Sequence, residues 1–294
     1  MSWRRAAPTA SVTSPVVRVA QASVTFWAIK GLSTALGEST SDFLVFAVNP
    51  VLAVLGTFAL FLAALAVQLS RGRYTPWAYW SAVVMVGVFG TMAADVVHVV
   101  LHVPYVVSSL GYGLGLALVF GIWRRLEGSL AVHEVTTLRR EVLYWAAVAA
   151  TFATGTAVGD LSAITWHLGY GGSIVAFAVS ICVPAVGYRW WRWDATFSFW
   201  AAYVITRPLG ASVADWTGKP GSAGGLGFGD GVMSVLFAVA IVVLVARSPG
   251  ASYPDAASPA AARPLARPAT DLSVWSRLKA PMGGSARTPG EEDA

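Results

Sequence analysis

Apolar stretches long enough to cross a lipid bilayer recur along the chain, at about 22–44, 48–69, 77–100, 104–123, 141–163, 167–188, 196–215 and 226–246. Crossing a bilayer takes about 17 to 25 residues of helix, and inside it only helices and closed barrels satisfy their backbone hydrogen bonds. The stretches therefore imply an all-α integral membrane protein with eight transmembrane helices over residues 20–247. Composition agrees, since 56% of the 294 residues are hydrophobic and 12% charged, where a soluble domain carries about 25% charged residues. The first stretch is too long and too interrupted by charge for a cleaved signal peptide. Residues 1–19 and 248–294 are polar or rich in Pro, Ala, Ser and Arg, and are expected to be disordered tails. The single Cys182 excludes an intrachain disulfide.

Arginine placement predicts orientation, because cytoplasmic loops collect Lys and Arg. Arg4, Arg5 and Arg18 precede the first stretch. Arg71 and Arg73 follow the second, Arg124, Arg125, Arg139 and Arg140 the fourth, Arg189 and Arg192 the sixth, and Arg247 the eighth. The connections after the odd-numbered stretches hold only Lys219. Both termini are thus expected in the cytoplasm. The net charge of +5 follows from this asymmetry and calls for no nucleic-acid partner.

The odd-numbered stretches repeat one pattern without gaps: "FWAIKGLSTALGESTSD" (26–42), "YWSAVVMVGVFGTMAAD" (79–95), "YWAAVAATFATGTAVGD" (144–160) and "FWAAYVITRPLGASVAD" (199–215). Each reads aromatic, Trp, nine residues, Gly, three residues, a small residue, Asp. The shared positions are Trp27, Trp80, Trp145 and Trp200; Gly37, Gly90, Gly155 and Gly210; and Asp42, Asp95, Asp160 and Asp215. Fifteen positions of helix carry Trp and Asp about 22 Å apart along the axis and about 60° apart around it, so one end of a common face is aromatic and the other acidic. The Trp is expected near the membrane interface, where indole suits the headgroups. The Gly-x-x-x-small pairs let helix backbones approach closely in lipid, which predicts one kind of seam between four crowded helices. Repeat units at about 22–70, 76–124, 141–188 and 196–247 each contain two stretches. All four units then share one orientation, with odd helices inside a pseudo-symmetric bundle and even helices outside.

On these residues the chain resembles a family of bacterial integral membrane proteins built from four tandem two-helix repeats of unknown function, often labelled uncharacterised membrane-anchored proteins. The first repeat looks like the family's pattern at Phe26, Trp27, Lys30, Thr34, Gly37, Glu38 and Asp42, and the fourth at Arg207, Pro208, Leu209, Gly210, Ala211, Asp215, Lys219, Pro220 and the "GGLG" at 224–227. In the middle repeats Val83 and Val148 stand for the Lys, and Thr91 and Thr156 for the Glu. The resemblance implies the bacterial plasma membrane and a helical fold, and no chemistry.

Ionisable groups inside a membrane cost roughly 2.5 to 3.5 kcal/mol each on insertion scales and face a bundle interior or a cavity. Asp42, Asp95, Asp160 and Asp215 share one depth by the repeat, Glu38 lies one turn from Asp42, and Lys30, Arg207 and Lys219 accompany them. Two readings are open. The acids are neutralised by these bases or cap helices, making the protein a non-transporting scaffold or sensor; or they form a cation site in a transporter or channel for a small cation, divalent metal or proton-coupled. Seven residues beyond the acids stand Asn49, His102, His167 and Ser222, and imidazole beside carboxylate suits transition metals; His98 and His102 would join Asp95 on one face if the helix continues. Pro208 is expected to kink its helix, and the Gly-rich run after it to be a mobile connector. No G-x-S-x-G, H-E-x-x-H or C-x-x-C occurs, so neither enzymatic chemistry nor a cofactor is expected.

Overall fold

The computed structural model describes residues 16–99 and 101–248, and side chains throughout except at Val99. The distal parts of both expected tails, with Arg4 and Arg5, lie outside the described residues. Eight long helices run α1 (Val24–Ala47), α2 (Pro50–Ser70), α3 (Pro76–Val99), α4 (Tyr105–Glu127), α5 (Leu138–Asp160), α6 (Gly169–Trp190), α7 (Ala195–Gly218) and α8 (Asp230–Arg247). Their starts follow local chemistry. Ser23, Asn49, Thr137 and Asp194 accept backbone N–H groups in the first turns of α1, α2, α5 and α7, satisfying donors that a helix leaves unpaired. Pro50 and Pro76 open α2 and α3, where a missing N–H costs nothing. A π-helical turn, Leu161–Thr165, follows α5.

Six of the helices, α2 to α6 and α8, are long and apolar enough to cross a membrane. The remaining two, α1 and α7, carry Lys30, Glu38 and Asp42, and Arg207 and Asp215. Packing explains why these two accept charge. α1 contacts α3 and α7, and α5 also contacts α3 and α7, so the odd helices close a ring. Each even helix lies against the odd helix that follows it: α2 on α3, α4 on α5, α6 on α7, and α8 on α1 to complete the cycle. In α3 and α5, 56% and 61% of the span is buried within the protein, against 17% in α2 and 11% in α6. The even helices thus present apolar residues outward while the odd ones turn polar residues to the ring's centre.

The repeated residues make repeated contacts. At one end of the ring the aromatic before each Trp meets the Trp of the next odd helix: Phe26 with Trp80, Tyr79 with Trp145, Tyr144 with Trp200, and Phe199 with Trp27, with centroids 5.6, 5.5, 5.8 and 5.6 Å apart. Trp80, Trp145 and Trp200 are buried, so these indoles bind helix to helix inside the ring. The glycines do the same one level on. A methyl on Gly37 would come within 2.9 Å of the Gly87 backbone, on Gly90 within 3.1 Å of Phe152 Cβ, on Gly155 into the Arg207 stem, and on Gly210 into Thr34. Each repeat glycine therefore faces the same repeat position of its neighbour around the ring. This is the expected single kind of seam.

One further expectation changes. Residues 17–19 pack rather than trail as a tail: Arg18 N–H donates to Val135 O, Tyr74 N–H donates to Val17 O, and the Arg18 guanidinium pairs with buried Glu141. Gln68 Nε2 donates to Glu141 Oε1 at 2.8 Å and to Arg18 O at 3.0 Å, tying the ends of α2 and α5 to this segment. α7 is helical on both sides of Pro208, whose ring lies against the space that Gly155 leaves open.

The seam predicts a contrast measurable by thermal unfolding in detergent. Gly37→Ala meets fixed backbone and destabilises by about 1–3 kcal/mol. Gly31→Ala, on the same helix with nothing within 4 Å, is neutral or stabilises by up to about 1 kcal/mol.

Candidate functional site

A column of residues four apart runs down the centre of the odd-helix ring. After the aromatic level come Lys30, Val83, Val148 and Tyr203; then Thr34, Gly87, Phe152 and Arg207; then Glu38, Thr91, Thr156 and Ala211; and last Asp42, Asp95, Asp160 and Asp215. All of the residues in the three middle levels are buried. Rows of i±4 residues run obliquely to a helix axis, about 26°, so helices that cross obliquely can keep such a row on the centre line.

Arg207 is the hub. Its side chain is 0% exposed, and its Nη2 donates to Glu38 Oε2 at 2.6 Å, Thr91 Oγ1 at 2.5 Å and Thr156 Oγ1 at 2.7 Å. The three acceptors are one repeat position read on α1, α3 and α5. The fourth copy has Ala211 there, and Arg207 reaches across from one turn below. The substitutions Thr91 and Thr156 for Glu are thus ligands to the guanidinium, a role visible in sequence only as a column that stays polar in three repeats. Arg207 Nε and Nη1 are buried without a partner.

Lys30 is 0% exposed and its Nζ has no hydrogen-bond partner. It lies 4.2 Å from the ring centroids of both Phe152 and Tyr203, and the Arg207 guanidinium carbon lies 5.4 Å from the Phe152 ring. Aromatic faces attract cations, so Phe152 is shared by the two deepest basic groups. Beyond them, Tyr79 and Tyr144 hydroxyls are 2.5 Å apart.

At the acidic end, Glu38, Asp42 and Asp215 each offer a carboxylate oxygen within 4.8 Å of the others. The repeat brings Asp215 of α7 beside Asp42 of α1 because α7 and α1 are neighbours in the ring. Lys219 Nζ donates to Asp42 Oδ2 at 2.5 Å and to Asp230 Oδ2 at 3.5 Å. Burial works to lower the Lys219 pKa, but Asp42, with Asp215 and Asp230, outweighs it and raises the amine above the ordinary lysine range. Asp95 and Asp160 are half-buried and make no hydrogen bond or ion pair among the described residues. None of the four repeat acids caps a following helix; Asn49 does so for α2.

Among the described residues, the carboxylates that come within reach of one another are joined by no histidine. His102 and His167 are exposed and hold left-handed backbone positions, φ 54° and 55°, at turns leading into α4 and α6. α3 ends at Val99, so His102 cannot share a helical face with Asp95. His98 is structural: its Nδ1 lies 3.0 Å from Val103 O and its Nε2 3.1 Å from Ser108 Oγ.

The Gly-rich run is also built. Leu226, Gly227, Phe228 and Gly229 donate their N–H groups to the carbonyls of Trp216, Lys219, Thr217 and Gly218, supplying acceptors' partners that the end of α7 lacks. A Cβ on Gly225 would overlap Lys219 O, which is why glycine is needed there. This hydrogen-bonded cap, in place of the expected mobile connector, holds Lys219 over Asp42.

Four consecutive segments, 25–74, 78–129, 143–192 and 198–248, match the family described as Repeat of Unknown Function (DUF347). No curated protein and no solved structure matches the chain.

The hub makes a prediction about coupling. Removing one partner of a buried ion pair strands the other, so Arg207→Met and Glu38→Met each destabilise by about 3–5 kcal/mol. The double variant Arg207→Met with Glu38→Met loses much less than the sum, read by unfolding midpoints of the four proteins in detergent.

Proposed function

The chain belongs to the DUF347 repeat family, and we propose that it is an eight-span transporter or channel of the bacterial plasma membrane that carries a small cation, with both termini cytoplasmic. The observation that carries this reading is the convergence of Glu38, Asp42 and Asp215, from two different repeats, at separations that one cation can bridge. The donor set is all oxygen, which suits hard cations such as Mg²⁺, Ca²⁺ or Mn²⁺ over softer metals. Asp95 and Asp160 extend the acidic level around the ring and raise the local cation concentration.

The polar levels grade along one axis. A cation entering at the acidic end reaches Asp42 and Asp215 first, where Lys219 occupies part of the site, and Glu38 next, where Arg207 stops further passage. The aromatic level closes the far end. Passage requires Arg207 to release Glu38, so the ion pair acts as the gate. α1 and α7 then count as membrane spans despite their charges, because those charges face one another inside the ring and not lipid. The arginines at the ends of α4, α6 and α8 support a cytoplasmic position for these ends, since cytoplasmic loops collect Lys and Arg.

A second reading, a non-transporting scaffold or sensor, is favoured by the same two ion pairs, Glu38 with Arg207 and Asp42 with Lys219. Proteoliposomes separate the two. Transport predicts Mn²⁺ flux in the intact protein that falls at least about tenfold in Asp215→Asn and in Asp42→Asn, with Mn²⁺ affinity weakened by a similar factor. Absence of flux and of Mn²⁺, Mg²⁺ and Ca²⁺ binding, with lowered thermal stability in both variants, establishes the scaffold reading in its place.

A further inference from the structure

We infer that Lys30 is a proton-binding site coupled to the cation site, making the protein a cation/proton exchanger; this rests on the cation reading above. The amine is enclosed at the centre of the ring, 0% exposed, and no acceptor reaches it. The carboxylate nearest along its own helix, Glu38, is committed to Arg207 at 2.6 Å. The deep column therefore holds two basic groups and one acid. Arg207 keeps its proton under all ordinary conditions, whereas a buried lysine is able to give its proton up. Lys30 is the group by which this column changes its net charge.

The surroundings support that assignment. From α7, Tyr203 and Arg207 lie beside Lys30; from α5, Phe152 does, with Tyr144 beyond it; from α3 the titratable group toward the aromatic end is Tyr79. α2 contains no titratable residue, and α8 carries only Asp230 and Arg247, at its two ends. None of these supplies a carboxylate to Lys30. Two aromatic faces hold the ammonium without fixing the proton in a hydrogen bond, so both the ammonium and the amine fit the same packing.

Coupling follows from charge. Lys30 and Glu38 are eight residues apart on α1, about 12 Å of helix. At that distance a unit charge alters a protonation equilibrium by about tenfold at an effective dielectric constant near 20. A cation bound by Glu38, Asp42 and Asp215 thus drives the Lys30 ammonium to pass its proton to water and become the amine. Reprotonation of the amine in turn expels the cation. One proton leaves for each cation that arrives, and the residue is restored at the end of the cycle.

The test compares the full chain with Lys30→Arg, which keeps the charge permanently, and Lys30→Met, which removes it. In weakly buffered detergent solution, Mn²⁺ binding to the unaltered protein releases about one proton more than binding to either variant. In proteoliposomes, an imposed pH gradient accelerates Mn²⁺ flux through the unaltered protein by about tenfold or more and leaves flux through both variants unchanged. Lys30→Arg also weakens Mn²⁺ binding relative to Lys30→Met, a difference that a purely structural lysine does not produce. Equal proton release from all three proteins, or variants that still respond to the gradient, overturns the assignment of Lys30 while leaving the cation reading intact. Failure of the unaltered protein to bind Mn²⁺ overturns the cation reading and this inference with it.

Discussion

A guanidinium enclosed at the centre of four helices is the constraint on which the structure depends. Arg207 cannot shed its charge, and a buried charge without partners is far costlier than the packing around it returns. The ring satisfies one nitrogen with Glu38, Thr91 and Thr156, and this requires α1, α3 and α5 to bring the same repeat position to one point. The repeat glycines make that approach possible: a side chain at Gly155 would collide with the Arg207 stem itself. Scaffold and site are therefore one set of contacts.

Tandem repetition gives the ring its form, and divergence between copies gives it polarity. Four equivalent helices related around an axis place identical residues at equal depth, which suits aromatic packing and a level of acids. Charges cannot be repeated fourfold at close quarters without mutual repulsion. The copies accordingly differ in the buried middle levels of the column. Lys30 and Glu38 belong to the first repeat, Arg207 to the last, and the middle repeats supply Val83 and Val148, then Thr91 and Thr156. Because α8 docks on α1 and α1 lies against α7, the two specialised repeats, first and last in the chain, are neighbours. The salt bridge of Glu38 and Arg207 is what ring closure makes possible.

Much of this was legible beforehand, and the failures are instructive. Helix positions and the inner placement of the odd helices follow from apolar length and from the small-residue pattern, both local properties. The partners of the Trp residues are not legible in sequence, because an indole near a helix end reads the same whether it faces lipid or the neighbouring Phe or Tyr. Helical spacing groups His102 with Asp95 only if α3 continues, whereas the chain turns through a left-handed residue there. The Gly-rich run read as loose because glycine signals freedom and close approach alike; only the acceptors at the end of α7 show that close approach is its use.

The sequence by itself determined that the chain is helical, built from four like units, and that acids recur at one depth, since each of these is written in composition and spacing. The tertiary structure decided which acids meet. Asp42 and Asp215 converge with Glu38, while Asp95 and Asp160 stay apart from that group, because the distance between side chains on different helices depends on the order of helices around the ring. That order, with α7 closing on α1, comes from packing over the whole chain and is carried by no single repeat.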